Sequence, residues 1–204
     1  MTRSTARTVV MAAVLLAAAA ASAGWNHEET FDQTYPMAAT GRVSLDNVNG
    51  DVVVEVWDRA EVRVQAVRRA DSREALDGLK IEVEAGPSSV RIDTDYPESK
   101  GWFGGGNRTE VEYTLTVPRS ASLDAIDLVN GALRVTGVEG GVAAESVNGG
   151  IELLGVTGSV DASTVNGSIE VRLTAVGGRD DVNLESVNGG IELLVPAGIG
   201  AEVE

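Results

Sequence analysis

The feature that most constrains the fold is a Val-Asn-Gly tripeptide that occurs five times in the sequence. Asn130, Asn148 and Asn166 follow one another at intervals of eighteen residues. Asn188 comes twenty-two residues later, which fits the same unit with four residues inserted around 174–181. A fixed period of this length is typical of repeat proteins, in which each unit packs against the next. We interpret the Asn-Gly pairs as structural corners, and they are Asn49 and Gly50, Asn130 and Gly131, Asn148 and Gly149, Asn166 and Gly167, and Asn188 and Gly189.

Apolar residues alternate with polar residues on both sides of each tripeptide. In the third copy, Val142 and Ala144 precede the tripeptide, and Ile151 and Leu153 follow it. The two later copies and the isolated early copy keep apolar residues at the same offsets, and the second copy keeps them after its tripeptide, at Leu133 and Val135. An alternation of period two indicates strands with one buried face. We expect a second corner in each unit, where a left-handed φ costs glycine little, at Gly137, Gly155 and Gly158.

Two architectures are compatible with this pattern. Each Asn-Gly pair could form a type I′ turn in an antiparallel meander of hairpins. Alternatively, each unit is one rung of a solenoid, and equivalent residues stack in parallel at about 4.8 Å. Residues 147–154 and 187–194 are identical, which favours the solenoid because every inward side chain then meets its own copy. We therefore predict an all-β fold, a single-stranded β-solenoid or β-helix of about eighteen-residue rungs, with asparagines that hydrogen-bond along the stack.

The N-terminal half is also β-rich, but it is less regular. Asp71 with Glu74 three residues later resembles a capping box, and Gly78 suits a helix end, so we predict one short helix over 71–78. The glycine-rich segment 99–108 is interpreted as a hairpin loop. Alternation of apolar and polar residues predicts strands at 61–67, 80–84, 89–94 and 109–117.

The N-terminus indicates export. Arg3 and Arg7 form a basic region, residues 9–20 are an unbroken apolar run, and residues 21–23 match a small-x-small cleavage site. The chain contains no cysteine, which excludes a lipoprotein anchor. We therefore predict a periplasmic, secreted or cell-surface protein that is not integral to the membrane after cleavage.

Three segments follow from these patterns. They are a signal peptide over 1–23, an irregular β-rich part over 24–118 that is continuous with the solenoid, and the solenoid repeats over 119–204. Since Leu193-Leu194-Val195-Pro196 repeats the pattern that precedes Asn130, a further Asn-Gly pair is expected at about position 208. We therefore expect that the sequence is truncated at its C-terminus.

Composition argues against several classes of function. The formal net charge is −15, so nucleic acid and anionic lipid are expected to repel the chain. The only histidine, His27, follows the predicted cleavage site, where we expect a mobile terminus, and the repeats contain none. Nucleophile-elbow, phosphate-loop and metalloprotease motifs are missing. We predict that the protein is not an enzyme and that it needs no cofactor.

One candidate site is a row of glutamates, named here the glutamate row, which comprises Glu152, Glu170 and Glu192. These residues occupy the same outward offset after each tripeptide, so stacking would bring like charges together. Calcium could bridge such a row, or the row could be a solvated face. The sequence lacks the aspartate-rich nonapeptide of known calcium-binding repeats, and we predict no dedicated metal site.

Two further candidates lie in the N-terminal half. Trp102 and Phe103 stand beside three glycines, where they form an apolar contact surface or fold back as a cap on the core. Arginines cluster among acidic residues in a strip that we interpret as intramolecular ion pairing, and they are Arg63, Arg68, Arg69 and Arg73.

Taken together, these motifs resemble a bacterial domain family of unknown function, the putative adhesins with β-strand repeats. The matching segments are 41–45, 49–51, 102–105 and 113–118, together with the serial Val-Asn-Gly-Gly-Ile-Glu copies. The resemblance implies an exported β-solenoid related to adhesin head domains, and it brings no catalytic residue.

From this resemblance we expect an adhesive or structural binding module at the cell envelope. The alternative is a periplasmic sensor or accessory subunit of an envelope-stress or membrane complex. The partner is an envelope protein or a glycan, which the sequence does not identify.

Overall fold

The structure, a computed structural model, describes residues 24–97, 108–177 and 180–197. The predicted signal peptide, residues 1–23, lies outside the described residues. In the ranges that are described, no helix has the length and apolar character needed to cross a membrane. In chain order the elements are β1 (His27–Pro36), β2 (Arg42–Asn49), β3 (Val52–Trp57), β4 (Glu61–Ala70), α1 (Arg73–Gly78), β5 (Lys80–Gly86), β6 (Ser89–Asp95), β7 (Thr109–Pro118), β8 (Ser122–Asn130), β9 (Leu133–Thr136), β10 (Val142–Asn148), β11 (Ile151–Val156), β12 (Val160–Asn166), β13 (Ile169–Leu173), β14 (Val182–Asn188) and β15 (Ile191–Leu194).

These strands form two open sheets that pack face to face, as in a sandwich. The eight-stranded sheet has the order β1-β4-β7-β3-β9-β11-β13-β15, and the seven-stranded sheet has the order β14-β12-β10-β8-β2-β6-β5. The only helix of the described ranges is α1. The prediction of an all-β fold with one short helix is therefore confirmed.

Each Val-Asn-Gly repeat contributes one strand to each sheet. The asparagine ends a strand of the seven-stranded sheet, and the next strand belongs to the eight-stranded sheet. Equivalent residues of successive repeats pair in parallel, so that Val142 is opposite Val160 and Ile151 is opposite Ile169. The alternative of antiparallel hairpins at the Asn-Gly pairs is wrong, because the two strands that flank each pair lie in different sheets.

The isolated early repeat joins the same stack, although it is distant in sequence. Strand β2 lies between β6 and β8, and β3 lies between β7 and β9. As a result, Asn49 is opposite Asn130 and Val52 is opposite Leu133. The five repeats are therefore adjacent in space, and β4–β7 flank the stack at the end that begins with Asn49.

The core lies between the two sheets and consists of the inward side chains of both. The positions predicted to be inward are buried in the first four repeats of the stack, and Leu45, Val54, Leu153 and Val171 are each 0% exposed. In the last repeat, Val182 and Leu184 are half-buried, whereas Ile191 and Leu193 are exposed because no further strand covers them in the described ranges.

Two details differ from the sequence-based expectation. The helix begins one residue later than a cap at Asp71 would place it, because the Ser72 hydroxyl accepts the Ala75 N–H at 3.2 Å. Asp71 instead accepts the backbone N–H of Arg108 at 3.3 Å. His27 does not lie on a free terminus, since it begins β1 and pairs with Ala70 of β4.

The corner glycines are required for two different physical reasons. At the second corner, Gly137, Gly155 and Gly158 have left-handed φ values of 77°, 66° and 83°, as expected. The Asn-Gly corners bring backbones of adjacent repeats close together instead. A Cβ on Gly149 would overlap the carbonyl oxygen of Gly131, and one on Gly167 would overlap that of Gly149.

This close approach leads to a stability prediction. We expect Gly149→Ala to reduce the free energy of unfolding by about 2–4 kcal/mol, because the added methyl group forces two backbones apart. The matched control is Gly190→Ala, where a Cβ meets nothing within 4 Å. That control should change stability by less than about 0.5 kcal/mol. Urea unfolding followed by circular dichroism measures both, and equal losses in the two variants would contradict the backbone-contact explanation.

Candidate binding surfaces

The asparagines of the five repeats form one continuous ladder, named here the asparagine ladder. Each side-chain Nδ2 donates to the Oδ1 of the preceding asparagine in the stack. The four hydrogen bonds are Asn130 to Asn49, Asn148 to Asn130, Asn166 to Asn148 and Asn188 to Asn166, at 2.9, 2.9, 2.9 and 3.0 Å. The ladder that the sequence predicts is therefore present, and its side chains satisfy one another.

A second row of hydrogen bonds supports the ladder from inside the corner. The Thr164 hydroxyl donates to the carbonyl of Gly149 at 2.9 Å, and Ser186 donates to that of Gly167 at 3.0 Å. Asn47 has the equivalent position in the first repeat, and its Nδ2 donates to the carbonyl of Gly50 at 3.1 Å. Ser146 donates in the same way to the carbonyl of Gly131 at 3.3 Å, so the corner carbonyls of Gly50, Gly131, Gly149 and Gly167 each accept a side-chain hydrogen bond.

At the Asn49 end, a tyrosine completes the stack. The Tyr96 hydroxyl donates to Oδ1 of Asn47 at 2.8 Å and accepts the backbone N–H of Asn49 at 2.9 Å. Burial raises the pKa of Tyr96 to about 12, so the hydroxyl remains protonated and able to donate at neutral pH. The stack thus ends on a defined polar contact at this side.

The valine of each tripeptide points outward and not into the core. The valine row comprises Val48, Val129, Val147, Val165 and Val187, which are 38%, 38%, 41%, 40% and 73% exposed. In the described ranges, every large exposed hydrophobic residue belongs either to this row or to residues 191–195. This outward orientation can be inferred from the sequence. Side chains alternate between the two faces of a strand, and inward residues lie one and three positions before the valine, so the valine faces outward.

Beside the valine row, acidic side chains share the outer face of the seven-stranded sheet. The carboxylate row comprises Asp93 on β6, Asp46 on β2, Asp127 on β8, Glu145 on β10 and Glu185 on β14, which occupy equivalent positions on successive strands. On β12, between Glu145 and Glu185, the same position holds Ser163. Arg91 bonds Asp46 and Asp93 at 2.6 and 2.8 Å. No arginine or lysine of the described ranges lies within ion-pair distance of the three other acidic residues, which are exposed.

The like charges of this row affect one another. Burial, together with a hydrogen bond to Asp93 and the charge of Asp127, raises the pKa of the Asp46 carboxyl above its usual value, against the pull of Arg91. The hydrogen bond from Arg91 lowers the pKa of Asp93. Like charges on adjacent strands are destabilising, so this face retains unfavourable charge that a cationic partner could neutralise.

The glutamate row lies on the opposite face of the molecule, on the outside of the eight-stranded sheet. Glu152 is opposite Glu170, and Glu170 is opposite Glu192. Arg134 pairs with Glu152 at 2.6 Å, and Arg172 pairs with Glu170 at 2.8 Å. Two of the three carboxylates are therefore neutralised by arginines, and a shallow groove of about 290 Å³ crosses the starts of β3, β9, β11 and β13.

The arginine cluster of the N-terminal half is engaged in ion pairs. Arg63 pairs with Asp32 at 2.6 Å, and Arg68 pairs with Glu29 at 2.6 Å. Arg69 forms ion pairs with Glu28, Glu110 and Glu112. Arg73 forms ion pairs with Glu29 and Asp77. The interpretation as an intramolecular pairing strip is confirmed, and it binds β1 to β4 and β7.

The remaining candidates stay predictions. Trp102 and Phe103 lie outside the described residues. Calcium bridging at the glutamate row is untested, although no group of three or more potential metal-ligating side chains occurs in the described ranges. The candidate surface that the structure adds is the outer face of the seven-stranded sheet.

Comparison with known proteins bears on the fold alone. No family model and no curated protein matches the sequence. The chain is similar to the solved structure of a putative cell adhesion protein from Clostridium sporogenes, with a TM-score of 0.57 and 10% sequence identity over 83% of this chain and 100% of that chain. At the level of the fold, the resemblance to putative adhesins is confirmed.

Two weaker likenesses were found among solved structures. One is to a putative adhesin from Bacteroides fragilis, with a TM-score of 0.32 and 15% identity over 81% of this chain and 97% of that chain. The other is to a putative lipid binding protein from Parabacteroides distasonis, with a TM-score of 0.24 and 12% identity over 80% of this chain and 96% of that chain. Both TM-scores are too low to bear on the fold.

The pKa shifts predict opposite effects for two acidic residues. Because the pKa of Asp46 is raised in the folded state, its carboxyl stabilises the fold below the unfolded pKa, and that contribution is lost as pH rises. The hydrogen bond from Arg63 lowers the pKa of Asp32, so Asp32 stabilises the fold at neutral pH, and that contribution is lost as pH falls.

We therefore expect Asp46→Asn to stabilise the protein slightly at about pH 7 and Asp32→Asn to destabilise it, with both differences becoming smaller as the pH is lowered to about 2.5. The side chains are 42% and 43% exposed, so each change should be about 0.5 kcal/mol or less. Urea midpoints at the two pH values measure the effect. A shift in the same direction for both variants would show that the charge environment is not the cause.

Proposed function

We propose that this protein is an exported, non-enzymatic binding module of the cell envelope, and that it binds its partner with the outer face of the seven-stranded sheet. The observation that carries the proposal is the valine row, a line of exposed apolar side chains beside Asp127, Glu145 and Glu185, which have no cationic partner in the described ranges. Exposed contiguous apolar surface is costly in water, and it typically marks an interaction site.

Other features support the coarser parts of the proposal. The basic, apolar and small-residue pattern of residues 1–23 supports export. Many charged side chains of the described surface are paired with one another, as Arg68 is with Glu29, or lie along rows such as the glutamate row. This pattern favours binding over catalysis, which needs convergent groups in a pocket. The fold shared with a putative cell adhesion protein is compatible with such a role.

We also infer that the five repeats are rungs of a solenoid. What supports this inference is the parallel pairing of equivalent residues at an offset of eighteen, seen for Val142 with Val160 and for Glu152 with Glu170. A solenoid presents each outward position as a row, so a single favourable contact is repeated along the stack. Repetition of this kind suits an adhesive or structural module.

The test is capture of a partner from envelope extract by the purified full chain. We expect Val147→Thr combined with Val165→Thr to reduce capture at least about fivefold, because the substitutions replace exposed methyl groups with hydroxyls while keeping β-branched side chains. The matched control is Val53→Thr, the same change on the outer face of the eight-stranded sheet, which should bind normally. Equal capture by all three proteins would refute this binding face.

A further inference from the structure

The valine row has the dimensions of a docking strip. Five strands at about 4.8 Å per step give a length of about 19 Å between its first and last valine. The side chains from Val48 to Val165 are each about two-fifths exposed, so none of them is hidden by a neighbour. This strip is long enough to contact several turns of a partner helix.

The carboxylate row runs parallel to this strip on one side. It lies two residues away along each strand, at a distance of about 7 Å. Asp127, Glu145 and Glu185 are exposed there without a cationic partner in the described ranges. On the other side of the strip, the asparagine ladder uses its amide groups for its own hydrogen bonds. The surface therefore offers apolar contact and negative charge, each in a separate line.

The chemistry of this surface discriminates among occupants. A second copy of the chain, itself carrying a net charge of −15, would place acidic row against acidic row. Glycans are commonly bound by stacking on aromatic rings, and no strand of the seven-stranded sheet contains a tryptophan, tyrosine or phenylalanine. A partner with both apolar and basic side chains fits both lines.

We propose that the valine row and the carboxylate row together bind a cationic amphipathic helix of a partner protein. This inference rests on the proposed function and names the chemistry of its partner. A helix with one apolar residue per turn repeats at about 5.4 Å, so over three turns its apolar stripe departs from the valine spacing by only about 2 Å. Lysines or arginines beside that stripe reach the carboxylate row, and the helix axis lies along the stack.

The probe is a synthetic amidated peptide of fifteen residues in an alanine background. It carries a leucine at each of four turn-spaced positions and a line of lysines on one side of them. A control peptide has the same composition in scrambled order, and binding to the full chain is measured by fluorescence anisotropy. The wild-type chain should bind the patterned peptide at least about tenfold more tightly than the scrambled one.

Variants separate the two lines of contact. Val147→Thr with Val165→Thr should weaken peptide binding at least about fivefold, through loss of apolar contact. Asp127→Asn with Glu145→Gln should weaken it similarly and reduce its dependence on salt. Two controls should bind within about twofold of wild type: Val53→Thr, and Glu55→Gln with Glu192→Gln, exposed residues of the eight-stranded sheet. Circular dichroism confirms that each variant is folded.

Failure of the patterned peptide to bind would overturn the proposal. Equal binding of both peptides, or equal weakening by the control variants, would mean non-specific charge attraction and overturn the proposal. A different result is that the chain binds the neutral oligosaccharide chitohexaose but not the peptide, and that the valine substitutions abolish this binding. It would overturn the proposal of a helical partner and leave the proposed binding face intact. If the valine substitutions also leave capture from envelope extract unchanged, the proposed function is refuted as well.

Discussion

The structure depends on the close backbone contact between repeats at the Asn-Gly corners. There the glycine allows two backbone segments to approach closely, as at Gly149 and Gly131. The neighbouring asparagine hydrogen-bonds to the asparagine of the adjacent repeat. Both interactions require that equivalent residues be opposite one another, since a shift of one residue would separate the asparagines and, towards the N-terminus, would replace glycine by asparagine. Register is thereby fixed at the corner. The inward and outward rows of both sheets follow from that register.

Part of this arrangement can be predicted from the sequence, because alternation depends only on neighbouring residues. It predicts the buried side chains around each tripeptide, and by parity it also implies that Val147 and its equivalents face outward, which is the main element of the candidate site. The place of the first repeat cannot be predicted in this way. Asn49 bonds to Asn130 across a separation of 81 residues, and pairing at that distance leaves no local pattern. Strand β1 is missed because its pairing with β4 uses ion pairs such as Asp32–Arg63.

The distribution of charge distinguishes the two outer faces. On the eight-stranded sheet, acidic residues meet arginines, as Glu152 meets Arg134, and the N-terminal strands are joined by similar pairs. On the seven-stranded sheet, Asp127 and Glu145 lie side by side without such compensation in the described ranges. Sequence offsets alone identify both rows as outward, but they do not tell which row an arginine neutralises. Strand pairing determines which acidic residues lie beside an arginine, and it leaves the acidic residues next to the valine row without one in the described ranges.

The most direct test of this account is the distance across the whole stack. The chain has no cysteine, so Val48→Cys and Val187→Cys place two nitroxide labels without further change. If the five repeats stack in register, with the first beside the second, four steps of about 4.8 Å give a separation of about 19 Å between the attachment points. Double electron–electron resonance should then yield a single distance distribution centred near that value, with a width set by the label linkers. A broad distribution, or a mean beyond about 30 Å, would contradict the stacking of the early repeat on the others.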